Sequence, residues 1–276
     1  MERINVIEQI MRKAKESGNT VIANPDKVFV DKTLNIFFRG KGNILYLEDG
    51  AQIQDSKIEF FSDNAVIYLS KNAPHSYCVS LHVYGNTSIY FGKDCTFNKQ
   101  LCLVTSERQN IFVGNDCMFS FGITARCADP HLIYDIDTKK RINDSKSIVI
   151  GDHVWVGQNA LILKGTRIGS GAIVSANAVV ANKKIPSNTC IGGNPAKIIR
   201  ENVFFSRECV HNWYDEKMSK KYEYMDTDNF IYNDSDCSLN FSAIDRKIKS
   251  TSKGTKKLDL IIKHLANDNS KYRFKI

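Results

Sequence analysis

The stretch RCADPHLIYD, residues 126–135, places His131 two residues after Asp129 and directly after Pro130. An imidazole titrates near pH ~6.5, so at neutral pH it can take a proton from a hydroxyl or an amine and return one to a leaving group. A base in that role contributes about 10²–10⁴ in rate. Asp129 is a candidate to orient the ring, although side chains at i and i+2 need not meet. Pro130 restrains the backbone between them. Trp155 follows 24 residues after His131, in HVWVG. It stands between Val154 and Val156 in a period-2 pattern, so its indole should point outward, as the wall of a ligand site rather than as core. A lone histidine is most often an ordinary loop residue. What lifts His131 above that is where it falls in the chain.

It falls at the break in a repeat. ILYLEDGAQI, VIYLSKNAPH, SIYFGKDCTF, NIFVGNDCMF and SIVIGDHVWV align on Leu47, Leu69, Phe91, Val113 and Ile150. The first four anchors are 22 residues apart and the last step is 37, an excess of 15. Four places after the anchors stand Ala51, Ala73, Cys95, Cys117 and Val154, and six places after stand Ile53, His75, Phe97, Phe119 and Val156. Period 2 within each stretch predicts β-strands with one face inside. Stacked repeats would bury a core that no single repeat can bury alone. From Ile150 the period tightens to six, through Val156, Ile162, Ile168, Val174 and Val180. Three such hexads make one coil of a β-helix with a triangular cross-section. Gly151, Gly157 and Gly169 follow anchors, at corners suited to residues without a Cβ. The excess residues lie between Ala125 and Ile148, so His131 rides a loop at about 126–146, and insertions in a solenoid gather on a binding face.

The stretch IVIGDHVWVGQNALILKGTRIGSGAIVSANAVV, followed by IPSNTCIGGNPAKIIR, resembles the hexapeptide-repeat acyltransferase superfamily, and is most similar to the O-acetyltransferases of capsular polysaccharides such as polysialic acid. The resemblance implies an all-β solenoid: a left-handed parallel β-helix with a protruding loop, assembled as a homotrimer with active sites between subunits. It implies acetyl-CoA as co-substrate and no metal. It makes His131 the catalytic base of a D-x-H motif, and Trp155 a wall of the acetyl-CoA and acceptor site. It places Lys183, Lys197 and Arg200 on coenzyme A, and Ala176 and Ala181 on its pantetheine arm through backbone. Four residues separate VV from IP here, where the family often has three, so Lys183 and Lys184 both stand for the coenzyme A lysine.

The rest of the chain adds boundaries. No apolar run spans a bilayer, and MERINVIEQIMRKAKES is too polar for a secretory leader, so the cytoplasm is the expected location. Eight cysteines without a C-x-x-C pair read as reduced thiols, with Cys95 and Cys117 as small core residues. The net charge of +8, partly from the basic C-terminus, suits an anionic partner, although a basic tail is more often only solvated surface. Nucleic acid and membrane insertion are not expected as partners; a carbohydrate acceptor is. Ile4, Ile7, Met11 and Ala14 predict an amphipathic helix in residues 1–40, with KVFVDKTLNIFF as a first irregular coil. The acyltransferase solenoid is expected over 41–200. A partly helical extension is expected over 201–276, from SRECVHNWYDEKMSKKYEYM and TKKLDLIIKHLAND. His153 occupies an outward, solvated position, and His82 points out where it could neighbour the loop. His75 falls in an inward column, which means either a buried, hydrogen-bonded histidine or, the preferred reading, a local register shift. His211 and His264 carry no motif. Three functions compete: O-acetylation of a cell-surface glycan, an acidic one suiting the charge; N-acetylation of an amino-sugar nucleotide or a xenobiotic; and a non-catalytic β-helix scaffold, against which His131 and Trp155 argue.

Overall fold

The computed structural model describes residues 6–212, 223–233, 239–268, 270, 271 and 273–275. Their core is a left-handed parallel β-helix of three flanks. One flank has eight strands, from Thr20–Ile22 through Ile44–Leu47, Val66–Leu69, Ser88–Phe91, Asn110–Val113, Ile148–Ile150 and Arg167–Ile168 to Lys184–Ile185. A second has six, including Met118–Phe119, Trp155–Val156 and Ile173–Val174. The third has seven, among them Lys57–Phe60, Val79–Val83, Thr124–Arg126, Leu161–Leu163 and Val179–Val180. The chain visits them in that order, coil after coil.

The repeat maps onto this prism with little loss. Ile150, Val156, Ile162, Ile168, Val174 and Val180 are all buried, one at each flank in turn. Cys95 and Cys117 fill the same interior, and each fully buried branched side chain is worth about 1.5–3 kcal/mol. His75 is exposed, and Tyr77 takes its column by pairing with Ile53, so the local register shift is real. Ala73 is displaced with it and lies outside. The glycines after anchors have a reason other than backbone conformation. A Cβ on Gly157 would stand 2.7 Å from the amide nitrogen of Ala176 on the next coil. Left-handed backbone falls two residues further on, at Asn159 (φ 57°) and Gly171 (φ 71°), residues that tolerate it.

Both ends of the solenoid are dressed. Helix α1 (Val6–Glu16) lays Ile7 and Ala14 over the first coil, while Ile4 lies outside the described residues. The stacked strands begin with Thr20–Ile22, Phe29–Val30 and Asn35–Phe38, so the lead-in KVFVDKTLNIFF is itself coil. At the far end, Lys197–Arg200 turns back antiparallel on Cys190–Gly192. Helices α2 (Phe241–Lys249) and α3 (Gly254–Ile261) then cover the outer face of the eight-stranded flank. Phe241, Ile248, Ile261, Leu265 and Phe274 pack on Tyr68, Tyr90, Phe112 and Val149 there. Arg273 seals the contact, with Nη2 2.8 Å from a carboxylate oxygen of Asp152. Of the other expected helix, Val210–Asn212 is a short 3₁₀ turn, and Trp213 through 222 lie outside the described residues. Among the described residues, no helix is long and apolar enough to cross a membrane.

Candidate active site

The loop leaves the seven-stranded flank after Arg126 and rejoins the eight-stranded flank at Ile148. It carries no long secondary structure, so side chains hold its shape. Arg141 grips Glu107 on the preceding coil through two hydrogen bonds of 2.7 and 2.9 Å, and Ser145 Oγ donates to the same carboxylate at 2.5 Å. The Arg141 and Ser145 hydrogen bonds hold the Glu107 carboxyl down at about 2. Asn143 Nδ2 donates to the carbonyl of His131 at 2.8 Å and to Asp129 Oδ2 at 3.1 Å. Lys164, one coil on, donates to that oxygen at 2.5 Å. Lys164 and Asn143 thereby keep the Asp129 carboxyl below the usual range. Asp129 is thus committed to the scaffold, and it positions the backbone that carries the histidine. His131 itself is exposed on the outgoing limb of this braced segment, whose turn lies further out at Asp135–Lys140.

The loop stands on one edge of the prism, where the seven-stranded flank turns into the eight-stranded one. The same edge, two coils later, holds Ala181, Asn182 and Lys183. Lys146 Nζ reaches Asn182 Oδ1 at 3.2 Å across the coils. A cleft of about 320 Å³ opens at the loop's foot between Ile142, Asp144, Lys146, Lys164 and Asn182. Lys183 lies at the edge and donates to the carbonyl of Ala196 at 2.6 Å. Lys184 instead belongs to the adjoining strand and lines a basic groove beside α2, with Lys146, Arg167 and Lys249.

Other candidates lie elsewhere on the chain. Ala176 is exposed on the neighbouring edge, between the six- and seven-stranded flanks. Lys197 and Arg200 are exposed on the final antiparallel strand. Trp155 does point outward, 40% exposed, on the six-stranded flank. It lines a cavity of about 600 Å³ whose other walls include Met118, Phe119, Arg207, Val210 and His211. His131 is not among them. A single chain brings His131, Ala181 and Lys183 to one edge and leaves Trp155 on another flank.

His153 corrects the expectation of a solvated ring. It is fully buried, sandwiched between Phe205 at 4.1 Å and Phe230 at 4.4 Å. Its Nδ1 lies 2.5 Å from Asp116 and its Nε2 3.0 Å from the carbonyl of Phe205. The hexad position does face outward; the C-terminal segment folds back over it. Arg207 fixes that segment by donating to Asp116 Oδ1 at 2.7 Å and to Thr96 Oγ1 at 2.9 Å. Burial pushes the Asp116 carboxyl up, but the His153 hydrogen bond and the Arg207 charge outweigh it and hold it low. Sequence reasoning missed Arg207 and His211 as neighbours of Trp155, because nothing in the hexad pattern announces a returning segment. His82 is bound to Glu59 and Ser80 on its own flank, rather than to the loop. Among the described residues, no group of three or more His, Cys, Asp or Glu side chains is placed to hold a metal ion.

Comparison with known proteins agrees with this fold. The bacterial transferase hexapeptide (six repeats) model matches residues 147–182. A polysialic acid O-acetyltransferase of Neisseria meningitidis is 31% identical over 203 residues, 71% of this chain and 83% of that protein. One of Escherichia coli O1:K1 is 41% identical over 85 residues, which span only 27% of its length. The crystal structure of the polySia-specific acetyltransferase NeuO superposes with a TM-score of 0.59 at 28% identity, covering 71% of this chain and 97% of that one. The polysialic acid O-acetyltransferase OatWY superposes with a TM-score of 0.58 at 26% identity, over 71% and 95%. The chain belongs to the hexapeptide-repeat acyltransferases and is an enzyme of acyl transfer. Within that class, its similarity is to the polysialic acid O-acetyltransferases.

Proposed function

We propose that this enzyme moves an acetyl group from acetyl-CoA to a hydroxyl of a capsular glycan, an acidic and sialic-acid-containing one in the first instance. His131 is the general base. Its ring takes the proton of the acceptor hydroxyl as the oxygen attacks the thioester carbonyl. The tetrahedral intermediate then expels the thiolate of coenzyme A, which receives the proton back. Transfer is direct, with no acyl-enzyme. The observation that carries this reading is the single interruption of the coil, braced through Lys164 and Asp129, which holds an exposed histidine at the edge where Ala181 and Lys183 also lie.

The site is completed between chains of a homotrimer. Supporting this, Leu132, Ile133, Tyr134, Ile136 and Ile142 all stand exposed on the loop, an apolar surface suited to a neighbouring copy. The loop of one subunit would reach the Trp155 flank of the next. Ala176, Ala181, Lys183, Lys197 and Arg200 would hold the coenzyme A chain and its phosphates. The seven described cysteines are free, which fits the reducing cytoplasm where we place the enzyme. The test is thiol release from acetyl-CoA with a panel of sialic-acid polymers, neutral glycans and amino sugars. Release with the acidic polymer, lost in His131→Ala, supports the reading. Release only with an amine acceptor would replace it by N-acetylation, and release unchanged in His131→Ala would remove the base.

A further inference from the structure

Away from the loop, on the outer surface of the seven-stranded flank, Ser80, His82 and Glu59 form a hydrogen-bonded relay. Ser80, largely covered, and half-buried His82 are alternate residues of the strand Val79–Val83 that point away from the core, and buried Glu59 is the cross-strand partner of His82. His82 Nε2 lies 3.0 Å from Ser80 Oγ, and His82 Nδ1 lies 3.1 Å from Glu59 Oε2. A carboxylate only accepts, so Nδ1 carries the ring hydrogen and the Nε2 lone pair faces the serine hydroxyl. That tautomer is the one able to remove the hydroxyl proton. The order of nucleophile, base and orienting carboxylate defines an activated serine whatever the fold. Lys57, cross-strand partner of Ser80, sets its ammonium 2.9 Å from the same Glu59 oxygen, and Arg39 lies 3.8 Å from the other. Phe61 stacks against His82 and face to face on Tyr84, and the Arg39 guanidinium lies over the Phe61 ring, so the aromatic surface left beside the relay is the exposed ring of Tyr84.

We propose that Ser80 is the nucleophile of a second, esterase-type site for small O-acyl esters, whose alcohol part is a ring that lies against Tyr84. Ser80 Oγ attacks the ester carbonyl carbon while its proton passes to His82 Nε2. Lys57, paired with Ser80 in register, is the cation placed to answer the oxyanion that forms. Collapse breaks the bond to the alkoxide, which leaves with the proton from His82, and an acyl-Ser80 remains. Water, deprotonated by His82, then releases the carboxylic acid and restores the serine. The site shares no residue with the acyl-transfer reading above and stands independently of it.

The test is incubation of the full-length protein with a fluorophosphonate probe, which loses fluoride to an activated serine, followed by peptide mass mapping. We expect an adduct on the Ser80 peptide, absent in Ser80→Ala, slowed about 100-fold in His82→Gln and slowed less in Glu59→Gln. Hydrolysis of 4-nitrophenyl acetate should follow the same order. Matching thermal melts of the variants guard against misfolding, and the wild-type adduct needs no variant at all. No adduct on Ser80 of the folded wild type, or an adduct formed equally fast in His82→Gln, overturns the proposal.

Discussion

Lys164 Nζ stands 2.5 Å from the carboxylate of Asp129, so the acid of the D-x-H motif is held by the scaffold's next coil. The pair ties the loop that interrupts the solenoid to the regular part that follows. With His131 as the proposed base, the contribution of the pair to catalysis is placement. Displacements of about an ångström at a reacting group cost up to ~10²-fold in rate. Lys164→Met should lower kcat about tenfold or more while leaving KM for acetyl-CoA nearly unchanged, and should speed amide exchange in residues 127–147. Steady-state kinetics and hydrogen exchange on the same variant check both halves.

The loop's other anchor gives a pH signature. Arg141 and Ser145 hold Glu107 at about 2, below the ordinary ~4.3 of a free glutamate. A carboxyl lowered in the folded state adds stability that is fully present above the unfolded value and is lost as the pH falls through the folded one. Arg141→Gln should therefore destabilise the protein at pH 7, and the difference from wild type should shrink between about 4.5 and 2. Thermal melts of the two proteins across that range measure it.

A site shared between chains makes a sharper claim about His131 and Trp155. His131→Ala and Trp155→Ala should each be nearly inactive as homo-oligomers. Co-expressed and co-assembled, they should regain activity at roughly a quarter of the sites, where an intact loop meets an intact indole. Recovery absent from purified mixed trimers would place both residues in one chain's site.

The C-terminal extension is clamped by a buried ion pair. Burial lifts the Asp152 carboxyl above its ordinary range, and Arg273 offsets part of that. Removing one partner leaves the other charge buried, at a cost of about 3–5 kcal/mol. Arg273→Met should lower the melting temperature and release the α2–α3 cover before the coil itself melts. Asp152→Asn with Arg273→Met should recover part of the loss.

Gly157 offers a test of stacking. Gly157→Ala should destabilise the coil although its backbone needs no left-handed angle, because the new methyl meets the backbone nitrogen of Ala176. Denaturant unfolding against wild type gives the magnitude.

The sequence by itself determined the coil. Anchors from Leu47 to Val180 are spaced by the geometry of a three-sided turn, and a periodic fold leaves its period in the chain. It also marked the interruption and the outward indole, since both are departures from that period. Relations between non-periodic parts were beyond its reach. That His153 is buried depends on Phe205 and Phe230 returning from far along the chain, and hydrophobic spacing near His153 carries no trace of them. That Asp129 belongs to Lys164 depends on which side chains a 35-residue separation brings to one edge. The tertiary structure alone decided that Ser80, His82 and Glu59 converge, because strand register sets which outward side chains become neighbours.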